Sequence, residues 1–425
     1  MKHYSTYTGQ MKRGLAKFSK KICKGFTIPT FKFVLSMLYG LMKGQSVMLS
    51  EIGRALEEKI SLKKTIERLS RNLGKFGQGE ELARNYAEEM KKEIDEGTIY
   101  CLDPGDISKE YSRKQEGLGK IWDASKKRSV NGYKTVEVVG LTHGSKLPIP
   151  VYSKVYSAKG EDGERQTAEN IAALRHLDKH YGSGGVRIMD RGMDDIKIYK
   201  YCKNQKFIVR AKKNRNVIYN GETWNIEELA NTFRGKIRLD YTDKGGIRGK
   251  RGRKHELKIW HVQVMLPELP KQPLTLLIVH GYDEKDPEPY LLLTNMDADG
   301  KQKSISVLKI YLCRWRIEEY YRFKKTQFDL ENIRVLSLKS IQTLNLLLSI
   351  LTGWLSALSA KEGNSKLLDH IFECANRIYD IPNFTLYATA DGIFAILSKS
   401  RSGIAKFLRN SLPLFSSRPT PSLSA

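Results

Sequence analysis

From Thr98 to Arg210 the sequence follows one order: three strand-like runs, a helix, a strand, a short helix and a further strand. The runs Thr98–Asp103, Thr135–Leu141 and Ile149–Tyr156 are rich in β-branched and aromatic residues, with Gly, Lys and Pro between them. Glu164–Tyr181 reads as a helix, Val186–Asp190 as a short apolar strand, Ile196–Cys202 as a helix and Phe207–Arg210 as a strand. That order reads as a mixed α/β domain, with helices packed on a mixed sheet.

The rest of the chain is organised around this segment. Residues 1–95 read as a helical N-terminal DNA-binding region, and 96–210 as the first part of a core. Residues 211–290, with alternating segments and Gly- and Pro-rich turns, read as a β-rich insertion. Residues 291–360 return to the core through a helix, and 361–425 form a helical C-terminal region whose Ser- and Pro-rich tail, from Asn410, is expected to be disordered. One stretch, Ile341–Ala360, has no charged residue, but Gln342, Asn345, Gly353 and its serines favour a buried core helix over a membrane span.

Charge narrows the function. The 73 Lys and Arg residues exceed the 47 Asp and Glu residues, leaving a net charge of +26. A polyanion is therefore the expected partner, nucleic acid ahead of an anionic membrane surface. Three segments concentrate the excess. Residues 1–30 hold seven Lys or Arg and no acid. Two helices between Ser46 and Leu73, the second capped by Ser61, suit a helix-turn-helix; its second helix offers Lys63, Lys64, Arg68 and Arg71. A solvated basic face is the plainer reading of that helix. Lys244–Lys254 (KGGIRGKRGRK) sets Arg248, Lys250, Arg251, Arg253 and Lys254 on a Gly-rich loop suited to nucleic-acid contact. The five cysteines form no CxxC pair, which points to a reducing cytoplasm without a zinc ribbon or disulfide framework. No signal-peptide pattern stands at the start.

Two carboxylates end apolar runs: Asp103 in CLDPGDIS and Asp190 in IMDRGMDD. Each alone is more readily a turn residue. Asp106 competes with Asp103 for the same role. A single helix expected over Ser304–Lys325 carries Tyr311, Arg314, Glu318 and Lys325 within roughly 60° of one another, at about 100° per residue. Arg322 lies close to the same stripe. Intrahelical ion pairing is the plain explanation. The set also meets the needs of phosphate-ester chemistry: an acid for a metal, cations and a phenol for phosphates.

The spacing Tyr311-x2-Arg314-x3-Glu318-x6-Lys325, inside IYLCRWRIEEYYRFKK, resembles the signature of bacterial DDE transposases of the insertion-sequence-four family. Asp190-Arg-Gly-Met-Asp194 and Leu102-Asp103 resemble the segments around that family's two catalytic aspartates. The resemblance implies a ribonuclease-H-like core interrupted by a β-rich insertion. It implies Asp103, Asp190 and Glu318 as catalytic acids holding two Mg²⁺ ions, for which Mn²⁺ can substitute. It implies Tyr311, Arg314 and Lys325 gripping phosphates, and Tyr290, where the family usually has Trp, stacking on a flipped base. The function the resemblance implies is cut-and-paste transposition by a homodimer on double-stranded DNA, both terminal inverted repeats and target, through a hairpin and with no membrane role. A catalytically inactive DNA-binding regulator and a metal-dependent nuclease without joining activity are the alternatives.

Overall fold

The computed structural model describes residues 2–123, 126–141, 147–160, 163–242, 254–281, 288–360, 365–376, 384–400 and 402–411. Of the basic loop, Arg248, Lys250, Arg251 and Arg253 lie outside the described residues, as does most of the tail; Lys254 is described and exposed. The chain divides into two compact units, one of residues 1–89, 111–116 and 322–425, the other of residues 90–110 and 117–321.

The first unit is helical. Its N-terminal part holds α1 (Lys2–Ile22), α2 (Ile28–Gly44), α3 (Leu49–Leu56), α4 (Leu62–Lys75) and α5 (Gly79–Met90). Helix α2 starts on Thr27, whose side chain accepts from the Thr30 amide, and is buried from Phe33 to Lys43. Helix α4 buries only Thr65, Leu69 and Leu73 and leaves its basic side in solvent. Ser61 stands at its N-terminus but makes no side-chain cap bond, contrary to the expected cap. Close approach of α3 and α4 depends on Gly53, where a Cβ would come within 2.9 Å of Leu62.

The second unit contains one twelve-stranded sheet. Its strands are β1 (Ile99–Ser108), β2 (Gly119–Asp123), β3 (Arg128–Leu141), β4 (Pro148–Ser157), β5 (Val186–Met189), β6 (Lys206–Arg210), β7 (Asn216–Tyr219), β8 (Glu222–Asn225), β9 (Ile237–Thr242), β10 (Lys254–Leu266), β11 (Leu269–His280) and β12 (Tyr290–Thr294). Helices α6 (Gly163–Tyr181), α7 (Ile196–Tyr201) and α8 (Ile226–Asn231) are interspersed. The path β4-β3-β1-β5-β6 is antiparallel as far as β1 and parallel from β1 to β6, the ribonuclease-H-like arrangement. The residues of the β-rich insertion do not form a separate sheet. Strand β12 pairs with β6 on one side and β11 on the other, so β10 and β11 extend the core sheet.

Helices α9 (Lys301–Leu312) and α10 (Trp315–Gln327) follow β12. Val307, Leu308, Tyr311, Leu312, Ile317 and Tyr320 pack from them into a core with Ile188, Ile208, Leu277 and Leu292 of the sheet. The single helix expected over Ser304–Lys325 is thus two. At the joint, Cys313, Arg314, Arg316 and Ile317 donate to carbonyls three residues back, which tightens the turn and interrupts the α-helical ladder. The chain ends in α11 (Leu338–Ser359), α12 (Ser365–Cys374), α13 (Leu386–Ser398) and α14 (Ile404–Ser411). Helix α11 is long and apolar enough to cross a membrane, yet 83% of its most apolar window is buried inside the fold. Its uncharged stretch is a core helix of the first unit.

Candidate active site

Parallel pairing places the first two acids side by side. Leu102 of β1 is in register with Met189 of β5, and Met189 with Val209 of β6. The residues that follow are Asp103, Asp190 and Arg210, a row across the end of the parallel ladder. Asp103 was expected at the end of a strand. It stands instead within β1, because β1 continues antiparallel to β3 as far as Ser108 after β5 has stopped. Asp106, three residues on, falls on the other face by strand alternation and is in register with Lys134.

The loop after β5 is held firmly. Buried Asp194 accepts from the Tyr199 hydroxyl at 2.8 Å and the Lys212 amide at 2.6 Å, and pairs with Arg215 at 2.6 Å. That network ties the turn following Asp190 to the residues following β6. At the other end of β5, fully buried Arg187 pairs with Asp178 at 2.6 Å and donates to the carbonyls of Ser183 and Gly184. A four-residue strand is thereby fixed at both ends.

The third acid arrives from the helical joint. The Tyr311 hydroxyl, on the last turn of α9, donates to Asp190 Oδ1 at 3.3 Å. Arg314, in the joint itself, lies 2.6 Å from Glu318 Oε1 and 4.0 Å from Asp190 Oδ2. Across the break Arg314 stays on the same side as Tyr311 and Glu318 and bridges the acid of α10 to the acid of β5. Arg210, which sequence reasoning missed, lies 4.0 Å from Asp190 Oδ1, and its guanidinium covers the Tyr290 ring at 3.9 Å. Tyr290 also meets Tyr311 edge to face at 6.3 Å. The expected stacking face of Tyr290 therefore already carries a cation on one side.

Electrostatics tie the acids together. Burial pushes the Asp103 carboxyl up to about 7; Arg314 opposes the rise, while Asp190 and Glu318 add to it. Burial alone would lower the Arg314 guanidinium, but Asp190, Tyr311, Glu318 and Asp103 around it more than offset this and hold it protonated. Burial, then Asp190, keeps the Tyr311 phenol neutral. Tyr311 thus faces Asp190 as a hydrogen-bond donor.

The donor chemistry suits a hard divalent cation: three carboxylates, of which Asp103 carries the electrostatic cost of having two others nearby. No group of three or more metal-ligating side chains is already drawn together among the described residues. Arg314 stands between the acids and holds Glu318, whose side chain is 52% exposed, in an ion pair.

The other expected residues belong to the helical unit. Lys325 pairs with Glu331 at 3.0 Å, and exposed Arg322 begins the portion of α10 that belongs to the helical unit. Arg68 is engaged by both oxygens of Glu58, at 2.6 and 2.7 Å, and Arg71 is exposed.

Residues 96–353 match the sequence profile of the transposase DDE domain. The chain belongs to that family. The match spans the sheet unit from β1 through α10 and into α11. Divalent-metal dependence is general among transposases of this domain type. Two solved structures are similar at low level. A piggyBac transposase synaptic complex with hairpin DNA shares 11% identity at a TM-score of 0.43, over 98% of this chain and 84% of that one. A Drosophila P element transposase strand transfer complex shares 11% identity at a TM-score of 0.20, over 93% and 80%. Likeness at this level says nothing about what this chain binds or cleaves.

Proposed function

We propose that this transposase works by cut-and-paste on double-stranded DNA, in the manner of the insertion-sequence-four family. It binds the terminal inverted repeats of its own element, a second copy binds the other end, and the pair joins the freed ends to target DNA. The observation that carries the reading is the convergence of Tyr311 and Arg314 on Asp190, with Glu318 joined through Arg314 and Asp103 next in the row.

Asp103, Asp190 and Glu318 would hold divalent ions, Mg²⁺ or in its place Mn²⁺. When bound, such ions activate the attacking water or 3′-hydroxyl and stabilise the leaving oxygen. The chain's own groups do the rest. Arg314 and Arg210 offer planar forks to the phosphates flanking the scissile bond, and Tyr311 fixes the carboxylate of Asp190 by donating to it. Tyr290, beside Arg210 and Tyr311, is the aromatic that would stack on an unstacked base along a hairpin route. Lys325 and Arg322, with the exposed cations of α4, contact DNA phosphates. With many phosphates contacted, binding weakens steeply with salt.

The test uses Mg²⁺ and a labelled duplex carrying the imperfect inverted repeats that flank the gene, with Glu318→Gln in parallel. Nicking followed by joining in the wild type, and neither in the variant, is expected. Tight binding without cleavage under Mg²⁺ or Mn²⁺ would overturn the enzyme reading in favour of a regulator. Cleavage without joined products would leave a nuclease.

A further inference from the structure

Two consecutive tyrosines after Glu318 reach down to the strands that carry and flank Asp103. Tyr320 is fully buried, and its hydroxyl donates to Glu137 Oε2 at 3.0 Å. Glu137 lies on β3 directly opposite Asp103 in the antiparallel register and is itself 1% exposed. The Tyr321 hydroxyl donates to the main-chain carbonyl of Asp103 at 2.6 Å. One side chain thus ties α10 to the strand beside the acid, and the next ties it to the acid's own peptide.

The sequence makes room for this contact. A Cβ on Gly105 would lie 2.9 Å from the Tyr321 ring and 3.0 Å from its hydroxyl oxygen. The Thr135 hydroxyl would lie 2.9 Å away as well, so a side chain at 105 would require the Tyr321 ring or Thr135 to shift, and glycine leaves the ring room over β1. Glu137 also needs explaining. A carboxylate that deep in a sheet costs free energy unless its hydrogen bonds are made, and a core of this kind would be as well filled by an apolar residue. Its bond to α10 is specific to the residue two positions after Glu318, the acid that the rest of the helix leaves exposed.

We propose that Glu137, Tyr320 and Tyr321 are positioning residues that set the distance between Glu318 and Asp103 and so determine divalent-metal affinity. The inference rests on the metal-holding role given above to these acids. Groups that orient ligating carboxylates through hydrogen bonds commonly change metal affinity by about 10–100-fold when removed.

The test measures Mn²⁺ binding to the full chain without DNA, from the free-ion electron paramagnetic resonance signal, beside the thermal midpoint and the KM for duplex. Tyr320→Phe removes the bond with little change of volume. Glu137→Gln keeps an oxygen acceptor for Tyr320 and serves as the conservative rescue. Gly105→Ala displaces Tyr321 independently. Tyr320→Phe and Gly105→Ala are expected to weaken Mn²⁺ binding about tenfold with KM unchanged, while Glu137→Gln stays within about threefold of wild type. Unchanged Mn²⁺ affinity in Tyr320→Phe, or a loss that follows only a lowered thermal midpoint, would reduce these residues to packing and overturn the proposal. Failure of wild type to bind Mn²⁺ at all would instead overturn the metal-holding role of the acids.

Discussion

The cations around Asp190 and those on α4 belong to the same basic chain but are held in opposite ways. Arg314 and Arg210 have side chains 18% and 14% exposed and face carboxylates at the end of a rigid ladder. On α4, Lys63, Lys64 and Arg71 are exposed, and Arg68 is paired with a glutamate ten residues earlier. A charge fixed among buried groups acts at short range and is little screened. An exposed one is screened beyond about 8 Å at physiological salt. On the proposed function, the first group acts on the reacting phosphate and the second raises affinity for a polyanion in general.

The comparison breaks most visibly at Arg314. Arg314→Lys keeps the charge but loses the fork that reaches Glu318 and Asp190 together. Cleavage rate should fall by roughly ten- to a hundredfold, the worth of a charge-assisted hydrogen bond, with duplex affinity within about twofold. Gel-shift and single-turnover measurements on one substrate separate the two. Equal losses of binding and rate would place Arg314 with the surface cations.

A smaller effect follows from Asp103. Its carboxyl, raised to about 7, must release a proton before a cation can bind, so apparent Mn²⁺ affinity should fall about tenfold per pH unit below 7 and level off above it. In the metal-free protein the sign is reversed for stability. The neutral carboxyl contributes stability that is fully present below its unfolded value, about 3.9, and is lost as pH rises through 7. Unfolding midpoints of wild type and Asp103→Asn from pH 4 to 8 check this. The wild type should lose ground to the variant as pH rises, and parallel curves would contradict the shift.

The smallest effect lies on α4. If this helix meets DNA, Arg71→Ala should reduce the salt slope of duplex binding by about one, as for a lost phosphate contact. Arg68→Ala should reduce it less, since Glu58 already neutralises that guanidinium, and should cost at most about 1 kcal/mol of stability. Equal slopes in the two variants would mean that the Glu58 pair opens on DNA.

These contrasts also show what was legible beforehand. The strands from Thr98 to Arg210 other than β2, and the strand at Tyr290–Thr294, were readable, because buried strands repeat apolar residues between breakers; β2 (Gly119–Asp123), with only Ile121 buried, was not. The helical break at 313–314 was not, since no Gly or Pro marks it and every residue there suits a helix. Arg210 was invisible for a different reason. It is an ordinary strand-end arginine until the parallel register sets it beside Asp190. The Arg68–Glu58 pair depends on how α3 and α4 fold back on each other, which spacing alone does not fix. Asp103 was noticed as a strand end, though β1 runs on past it. What stops there is its parallel neighbour.

The central claim, that Asp103, Asp190 and Glu318 act on phosphate through a divalent ion, is tested most directly by changing the softness of one ligand. Asp190→Cys offers a thiolate, which Mg²⁺ tolerates poorly and Mn²⁺ accepts better. Cleavage of the end-bearing duplex should vanish in Mg²⁺ and return in part in Mn²⁺, while Asp190→Ala stays inactive in both. Equal activity of Asp190→Cys in the two metals, or no recovery beyond that of Asp190→Ala, would contradict the account.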